Sequence, residues 1–127
     1  IAGVLESVPD RGVGREAVVD RIVLVAEHLR NDEIVQSVIR NAPSLAMVYI
    51  AERLGTSQQI MVDALAEAIK LAQDDGSVRA GDPHQMGAMC LLITQSTIQS
   101  AQMVEAILDN EAIDVELSIA LNGYLKP

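Results

Sequence analysis

The chain has 127 residues and a net charge of −9, and half of its residues are apolar, which is enough for one domain with a substantial core. Its only aromatic residues are two tyrosines, so the core has to be aliphatic, whereas strand-rich domains favour aromatic and β-branched residues. The acidic balance disfavours direct binding to nucleic acid or to anionic membranes, and the single cysteine excludes an internal disulfide and fits a reducing, cytoplasmic location.

Apolar residues recur at helical spacing with no sustained alternation, which predicts an all-α, bundle-like domain of about six helices. The first predicted helix follows Gly14, and the second begins after a capping residue at Asn31 or Asp32. A third helix is predicted from Pro43, which suits a first helical turn, to Gly55, a common helix terminator.

Capping signals mark the next two helices. Thr56 and Gln59 form a capping-box pattern for a fourth helix, which ends at Gly76. Asp82 followed by Pro83 combines an N-cap carboxylate with a proline in the first turn, which predicts the start of a fifth helix.

The fifth predicted helix carries no charged side chain from Pro83 to Val104 and is long enough to span a bilayer. Only half of its residues are apolar, and the others include glutamines, threonines and serines, so we exclude a membrane span. One stripe of this helix is uncharged but polar. Such a stripe suits contact with another protein surface, because charges are depleted in interface cores, although plain exposure to water is the alternative.

A final helix is predicted from near Asn110 to a stop at Asn122 and Gly123, and it has an apolar face. Two helices with apolar or uncharged faces, the second at the end of the chain, can pair with their copies across a two-fold axis. We therefore predict a homodimer with a four-helix interface. The predicted interface residues are Leu92, Gln95, Gln99, Gln102, Ile113, Leu117, Ala120, Leu121 and Tyr124.

The sequence contains no arrangement typical of a catalytic or metal site. His84 and Cys90 do not share a helix face, and no paired Cys or His spacing occurs, so we expect neither a metal nor another cofactor. Cys90 lies in an apolar run, where burial makes a thiol inert, and the sequence offers it no acid–base partner. We therefore predict that the chain is not an enzyme.

Methionines in three predicted helices indicate a ligand cavity. Methionine adapts to varied apolar ligands, although ordinary core packing explains any single one of them. Together with a tyrosine, whose hydroxyl can orient a polar group, these residues predict a small-molecule cavity between helices. The predicted lining residues are Met47, Tyr49, Ile50, Met61, Leu65, Met86, Met89, Cys90 and Ile93.

Three segments resemble one protein family. The run "ALAEAIKLAQDDGSVRAGDPHQMGAMCLLITQSTIQSA" resembles the C-terminal domain of TetR-type transcriptional regulators, in which a helix ends in a similar turn before a long, mostly apolar helix. The ending "ALNGYLKP" is similar to the closing helix of that family, and "EHLRNDEIVQSVIRNAP" is similar to its earlier effector-domain helices. The resemblance assigns residues 15–127 to an effector-binding and dimerisation domain and residues 1–14 to the end of a linking helix and its loop.

The resemblance implies a repressor that dimerises through its last two helices and binds a small, often apolar effector. It also implies an N-terminal helix-turn-helix domain, and no segment of this chain matches one. Because the chain lacks an initiator Met, we expect that domain upstream, as the part that contacts operator DNA. Effector binding is then expected to change the spacing of two DNA-reading heads, which have to sit about 34–36 Å apart or a multiple of it. The alternatives are a stand-alone helical interaction module and a small all-α enzyme.

Overall fold

The computed structural model describes residues 14–42, 44–45 and 57–127, which form five α-helices and no strand. The helices are α1 (Arg15–Arg30), α2 (Glu33–Asn41), α3 (Ser57–Asp74), α4 (Pro83–Val104) and α5 (Asn110–Leu125). The predicted all-α class is therefore confirmed. The predicted helix from Pro43 to Gly55 and the capping box at Thr56 fall outside the described residues, apart from Ser44 and Leu45, which are helical.

Aspartate side chains cap the N-termini of three of these helices. Asp32 accepts hydrogen bonds from the backbone N–H groups two and three residues later, at 2.9 and 3.1 Å, and Asp82 does the same at 2.9 and 3.2 Å. Asp109 accepts one bond from the amide three residues later, at 2.9 Å. Each carboxylate satisfies amides that have no partner inside the helix, and its charge is favourable at the positive end of the helix dipole.

The core lies where α1 packs against α3, α4 and α5. Its buried members come from these four helices and from the turn after α3. They are Val18, Val19, Ile22, Ala26, Ile69, Ala72, Val78, Met86, Cys90, Leu117, Leu121 and Leu125.

α3 and α4 form the most extensive helix pair, and Gly87 permits their close approach. A Cβ atom at this position would lie 3.3 Å from the Leu65 Cβ and 3.4 Å from the carbonyl oxygen of Val62. These distances are tighter than ordinary carbon contacts, so a side chain here would push the helices apart.

The turn between α3 and α4 begins with a Schellman motif. Gly76 has φ of +84°, a conformation that glycine adopts without steric cost. Its N–H donates to the Gln73 carbonyl at 3.1 Å, and the N–H of Ser77 donates to the Ala72 carbonyl at 3.0 Å. The turn thus satisfies carbonyl groups at the end of α3 and ends that helix where the glycine predicts.

The same turn holds the beginning of α1. The backbone N–H of Arg15 donates to the Ser77 hydroxyl oxygen at 2.9 Å, and the Arg15 guanidinium donates to the Ser77 carbonyl at 3.1 Å. Arg15 also donates from Nε to Asn122 Oδ1 at 3.0 Å. One arginine therefore joins the start of α1 to both the turn and α5.

Arg79, in this turn, fixes the end of α5. Its backbone N–H donates to the Leu125 carbonyl and its Nε donates to the Tyr124 carbonyl, both at 2.8 Å. Its guanidinium carbon also lies 4.7 Å from the centre of the Tyr124 ring, within cation–π range. Gln73 supports the turn by donating from Nε2 to the carbonyls of Arg79 and Gly81, at 3.1 and 3.0 Å.

The predicted stop of α5 at Asn122 and Gly123 is wrong, because the helix continues to Leu125. Asn122 uses its side chain within the helix, donating from Nδ2 to the Ser118 carbonyl at 2.9 Å while accepting from Arg15. Gly123 does not adopt the positive φ of a helix terminator. Bonds from Arg79 satisfy the terminal carbonyls, so α5 needs no glycine to end it.

Candidate ligand cavity and contact surface

An apolar cavity of about 190 Å³ lies between α1, α3 and α4. It is partly enclosed, and most of the residues around it are aliphatic. The lining residues are Val18, Arg21, Ile22, Val25, Leu29, Met61, Ala64, Leu65, Ala68, Leu91, Thr94, Gln95 and Ile98.

The space exists because small side chains on α3 face larger ones on its neighbours. Ala64 and Ala68 are one helical turn apart and both line the cavity. An apolar cavity of about 150 Å³ remains dry and accepts benzene or xenon, so this larger one can hold a small apolar molecule.

Polar groups occur at one part of the wall. Thr94 is buried and donates its hydroxyl proton to the Cys90 carbonyl at 2.7 Å, which leaves the hydroxyl oxygen able to accept a further bond. Gln95 is half-buried, and Arg21 also contributes to the lining. This wall can orient one polar group of a ligand, while the remaining lining offers apolar contact.

Two of the predicted ligand residues, Met61 and Leu65, line this cavity. Met47, Tyr49 and Ile50 fall outside the described residues, so the expected role of the tyrosine hydroxyl stays a prediction. The predicted ligand residues include none of the cavity lining contributed by α1 and α4. The missed signal is the helical spacing of small residues on α3 opposite Val, Ile and Leu on α1.

The other four predicted ligand residues lie elsewhere. Met86 and Cys90 are buried in the core, and Ile93 packs against that core. Met89 is 45% exposed. None of the four lines the apolar cavity, because their positions on α4 face either α3 and the core or the outside.

The Cys90 thiol is fully buried. Burial raises the pKa of this thiol to about 11, and the positive charge of Arg79 opposes the rise only in part. A buried neutral thiol is a poor nucleophile, which agrees with the structural role expected for this residue.

The last two helices expose apolar residues on their outer sides. On α4, Met89, Leu92 and Met103 are 45%, 55% and 85% exposed, and their spacing places them on one stripe. On α5, Val115 and Ile119 are 58% and 59% exposed and lie one turn apart. We call these five residues the outer apolar face.

The predicted interface residues of α5 divide between the inside and the outside. Ile113, Leu117 and Leu121 are 4%, 2% and 0% exposed, since they pack within the chain against α1 and α4. Ala120 is exposed and Tyr124 is half-buried beneath Arg79. The apolar face that periodicity identifies on α5 is thus a core face, and any contact surface of this helix lies on its other side.

The predicted interface residues of α4 also differ among themselves. Leu92 belongs to the outer apolar face, whereas Gln95 lines the apolar cavity. Gln99 is half-buried. Gln102 is exposed and donates from Nε2 to Gln36 Oε1 on α2 at 2.7 Å, so its amide serves a contact within the chain.

Among the described residues, no helix is both long enough and apolar enough to cross a membrane.

Comparison with known proteins shows that the chain is similar in sequence to proteins named as transcriptional regulators. It is 54% identical over 125 residues, 98% of its length, to an uncharacterized HTH-type transcriptional regulator of Mycobacterium tuberculosis and to one of Mycobacterium bovis. The chain covers 65% of the length of each of these proteins. No family model and no solved structure matches it. The chain is therefore similar, over nearly its whole length, to proteins named as HTH-type transcriptional regulators, and this similarity supports a role in transcriptional regulation.

Proposed function

We propose that the chain is the effector-binding and dimerisation part of a cytoplasmic DNA-binding regulator of TetR type, a repressor that leaves its operator when a small apolar molecule binds. The apolar cavity between α1, α3 and α4 is the observation that carries this proposal. The similarity to HTH-type regulators supports it. With a net charge of −9, the chain is a poor DNA ligand by itself, so the proposal assigns operator contact to a helix-turn-helix segment outside it.

The cavity restricts the class of effector. Its volume of about 190 Å³ suits a molecule not much larger than one aromatic ring, and its lining is aliphatic except at Arg21, Thr94 and Gln95. The effector is therefore a small, mainly apolar molecule with one polar group directed towards Thr94 and Gln95.

Dimerisation in this proposal uses the outer apolar face. Exposed apolar side chains are a cost in water, and pairing two copies of the same helices across a two-fold axis would remove them from it. Both helices that carry this face, α4 and α5, are the ones that the family resemblance assigns to the interface. A stand-alone interaction module, the alternative, would use the same face for a different protein and would not need the cavity.

Benzene binding tests the role of the cavity. We expect benzene to raise the midpoint of thermal unfolding, because a ligand that binds only the folded chain stabilises it by mass action. The variant Ala68→Leu places three carbons in the cavity and is expected to abolish the benzene shift while remaining folded. The control is Ala106→Leu, an exposed position outside the cavity, which is expected to keep the full shift.

Two results would contradict the proposal. One is the absence of any benzene-dependent shift in the unmodified chain. The other is an equal shift in Ala68→Leu and Ala106→Leu, which would mean that benzene binds somewhere else.

A further inference from the structure

Two methionine side chains lie at the surface of α4. Met103 is 85% exposed and Met89 is 45% exposed, and both belong to the outer apolar face. Their separation in the sequence is close to a whole number of helical turns, so they lie on one side of α4, about 21 Å apart along its axis. An exposed thioether is open to attack by small oxidants dissolved in water. This side of α4 therefore carries two candidate positions for reversible oxidation.

The other sulfur-containing side chains in the described part of the chain are less exposed. Met86 and Cys90 lie in the core and are 2% and 0% exposed. The sulfur of Met86 also accepts a hydrogen bond from Gln73 Nε2 at 3.7 Å. Met61 is half-buried and lines the apolar cavity. Burial thus protects the thiol, which is a common target of oxidants, and leaves the outer methionines as the first described groups that an oxidant reaches.

Hydrogen peroxide oxidises a thioether by transferring one oxygen atom. A lone pair of the sulfur attacks one peroxide oxygen, the O–O bond breaks, an S–O bond forms, and the other oxygen leaves as water after proton transfer. The sulfur loses two electrons and the peroxide gains them. The product, methionine sulfoxide, is polar, and methionine sulfoxide reductases convert it back to methionine.

The added oxygen changes what the outer side of α4 can contact. A sulfoxide oxygen can only accept hydrogen bonds, and it is costly to bury where no donor reaches it. Residues 83–125, which include both α4 and α5, contain no lysine or arginine. A second copy of these two helices therefore offers the sulfoxide no side chain of either type as a donor. Oxidation turns an apolar contact between copies into an unfavourable one.

We propose that Met89 and Met103 form a reversible oxidation site, at which peroxide weakens the contact between two copies of the chain. The proposal rests on the proposed function, because it requires that the outer apolar face joins the copies. Oxidation takes place on separated copies, which expose both side chains, and mass action then draws the dimer apart. Peroxide would thereby act on the regulator through the outer side of α4, independently of an effector in the apolar cavity.

Sedimentation after peroxide treatment tests this site. The chain is treated with hydrogen peroxide, the peroxide is removed, and the Kd of the dimer is measured over a range of concentrations. Mass spectrometry of peptides identifies the oxidised positions, and circular dichroism measures the helix content. We expect Met103 to be oxidised first, Met89 next and Met86 last. Each sulfoxide on the outer face should raise the Kd roughly tenfold without loss of helix, and methionine sulfoxide reductases should restore it.

A double variant assigns the response to these two positions. Met89→Leu combined with Met103→Leu removes both sulfurs and keeps apolar side chains of similar size. It should dimerise about as well as the unmodified chain and should not respond to peroxide. Since the variant retains Met61, Met86 and also Met47, which falls outside the described residues, the loss of the response would exclude all three as its source.

A polar substitution tests the physical cause without an oxidant. Met103→Gln places an uncharged polar group where the sulfoxide would form, and it should raise the Kd roughly tenfold. The control is Ile60→Gln, which makes the same apolar-to-amide change on α3 at a position that is 65% exposed and lies outside the outer apolar face. It should leave the Kd unchanged.

Different results would contradict this proposal and the proposed function. A dimer whose Kd stays the same after Met89 and Met103 are fully oxidised would overturn the oxidation site and leave dimerisation intact. A peroxide response that persists in the double leucine variant, or that accompanies loss of helix, would also overturn it. Oxidation of Met86 as fast as Met103 would show that burial does not select the target. An unmodified chain that remains monomeric would contradict the proposed dimerisation, and the oxidation site with it.

Discussion

Substitutions on the two sides of α5 are expected to have different effects on stability and on assembly. Leu121 is fully buried in the core, whereas Ile119, two residues earlier, is 59% exposed on the outer apolar face. Leu121→Ala and Ile119→Ala each remove three carbons from an aliphatic side chain. The first is expected to destabilise the fold of each copy, and the second chiefly to weaken the contact between copies.

The magnitudes follow from burial. Leu121→Ala loses the transfer energy of three fully buried carbons and leaves a cavity, so we expect the free energy of unfolding to fall by about 3 kcal/mol. For Ile119, three carbons are worth about 2.4 kcal/mol when fully covered. A second copy can cover only the 59% that is exposed, which gives about 1.4 kcal/mol per copy. A two-fold symmetric dimer contains two copies of Ile119, so this loss occurs twice. Ile119→Ala should therefore raise the Kd of the dimer roughly a hundredfold.

Sedimentation over a range of concentrations gives the Kd, and urea unfolding at low concentration gives the stability of the separate copy. The control is Ile34→Ala, the same change at a position on α2 that is 77% exposed, and it should leave both quantities unchanged. The assignment of the two faces fails if Ile119→Ala destabilises the single copy as much as Leu121→Ala does. It also fails if the unmodified chain remains monomeric at high micromolar concentration.

Substitutions at three further positions test the turn and the buried thiol. Arg79→Lys keeps the charge but cannot reproduce the directed bond to the Tyr124 carbonyl, so urea unfolding should show a loss of about 1–2 kcal/mol; full stability would contradict the role of this bond. Asp82→Ala removes the α4 cap and should lower the free energy of unfolding by about 1 kcal/mol in the same assay. Asp82→Ser keeps a capping oxygen and should recover most of this loss. An equal loss in both variants would argue against capping. The raised pKa of Cys90, about 11, makes the neutral thiol the folded form. The contribution of this thiol to the free energy of unfolding is therefore fully present below the pKa of the unfolded chain's thiol. It falls as the pH rises through about 9 towards about 11. A pH series of unfolding measurements should show this fall in the unmodified chain and not in Cys90→Ala.

Helix boundaries were predictable wherever a local signal fixes them. Asp32 and Asp82 cap their helices through hydrogen bonds to amides two and three residues away, so all partners lie within one short segment. Gly76 likewise ends α3 through its own backbone conformation. The end of α5 could not be read in this way, because Arg79, which satisfies its carbonyls, lies 45 residues earlier in the chain.

The two sides of α5 could not be assigned from the sequence because both are apolar. Leu117 and Leu121 repeat with helical spacing, but so do Val115 and Ile119. Periodicity identifies residues that share a side and does not identify what covers that side. The covering helix, α1, is determined by contacts between residues far apart in the sequence.

The apolar cavity was harder to predict from the sequence, because it forms where side chains are too short to fill the space between helices. The sequence-based prediction of the cavity lining relied on the methionines, but Met86 is buried in the core and Met89 lies at the surface. The space is created opposite Ala64 and Ala68, whose short side chains cannot reach α1. A pair of alanines is also typical of close helix packing, so only the distance between helices distinguishes a cavity from a contact.

α4 provides the physical link between the cavity and the proposed dimer contact. Leu91, Thr94 and Ile98 line the cavity, whereas Leu92 and Met103 point outward, and the helical repeat places the two sets roughly 140° apart around the axis. Near its start the helix is held against α3 at Gly87, where no side chain could be added without displacement. The cavity lies beyond that point, so under the proposed function we expect an effector that widens the cavity to tilt the later part of α4 about the Gly87 contact and to move the outer residues with it. In the proposed function, such an effector would change operator affinity only to the extent that it binds the two positions of α4 unequally, and a tenfold difference would supply about 1.4 kcal/mol per site.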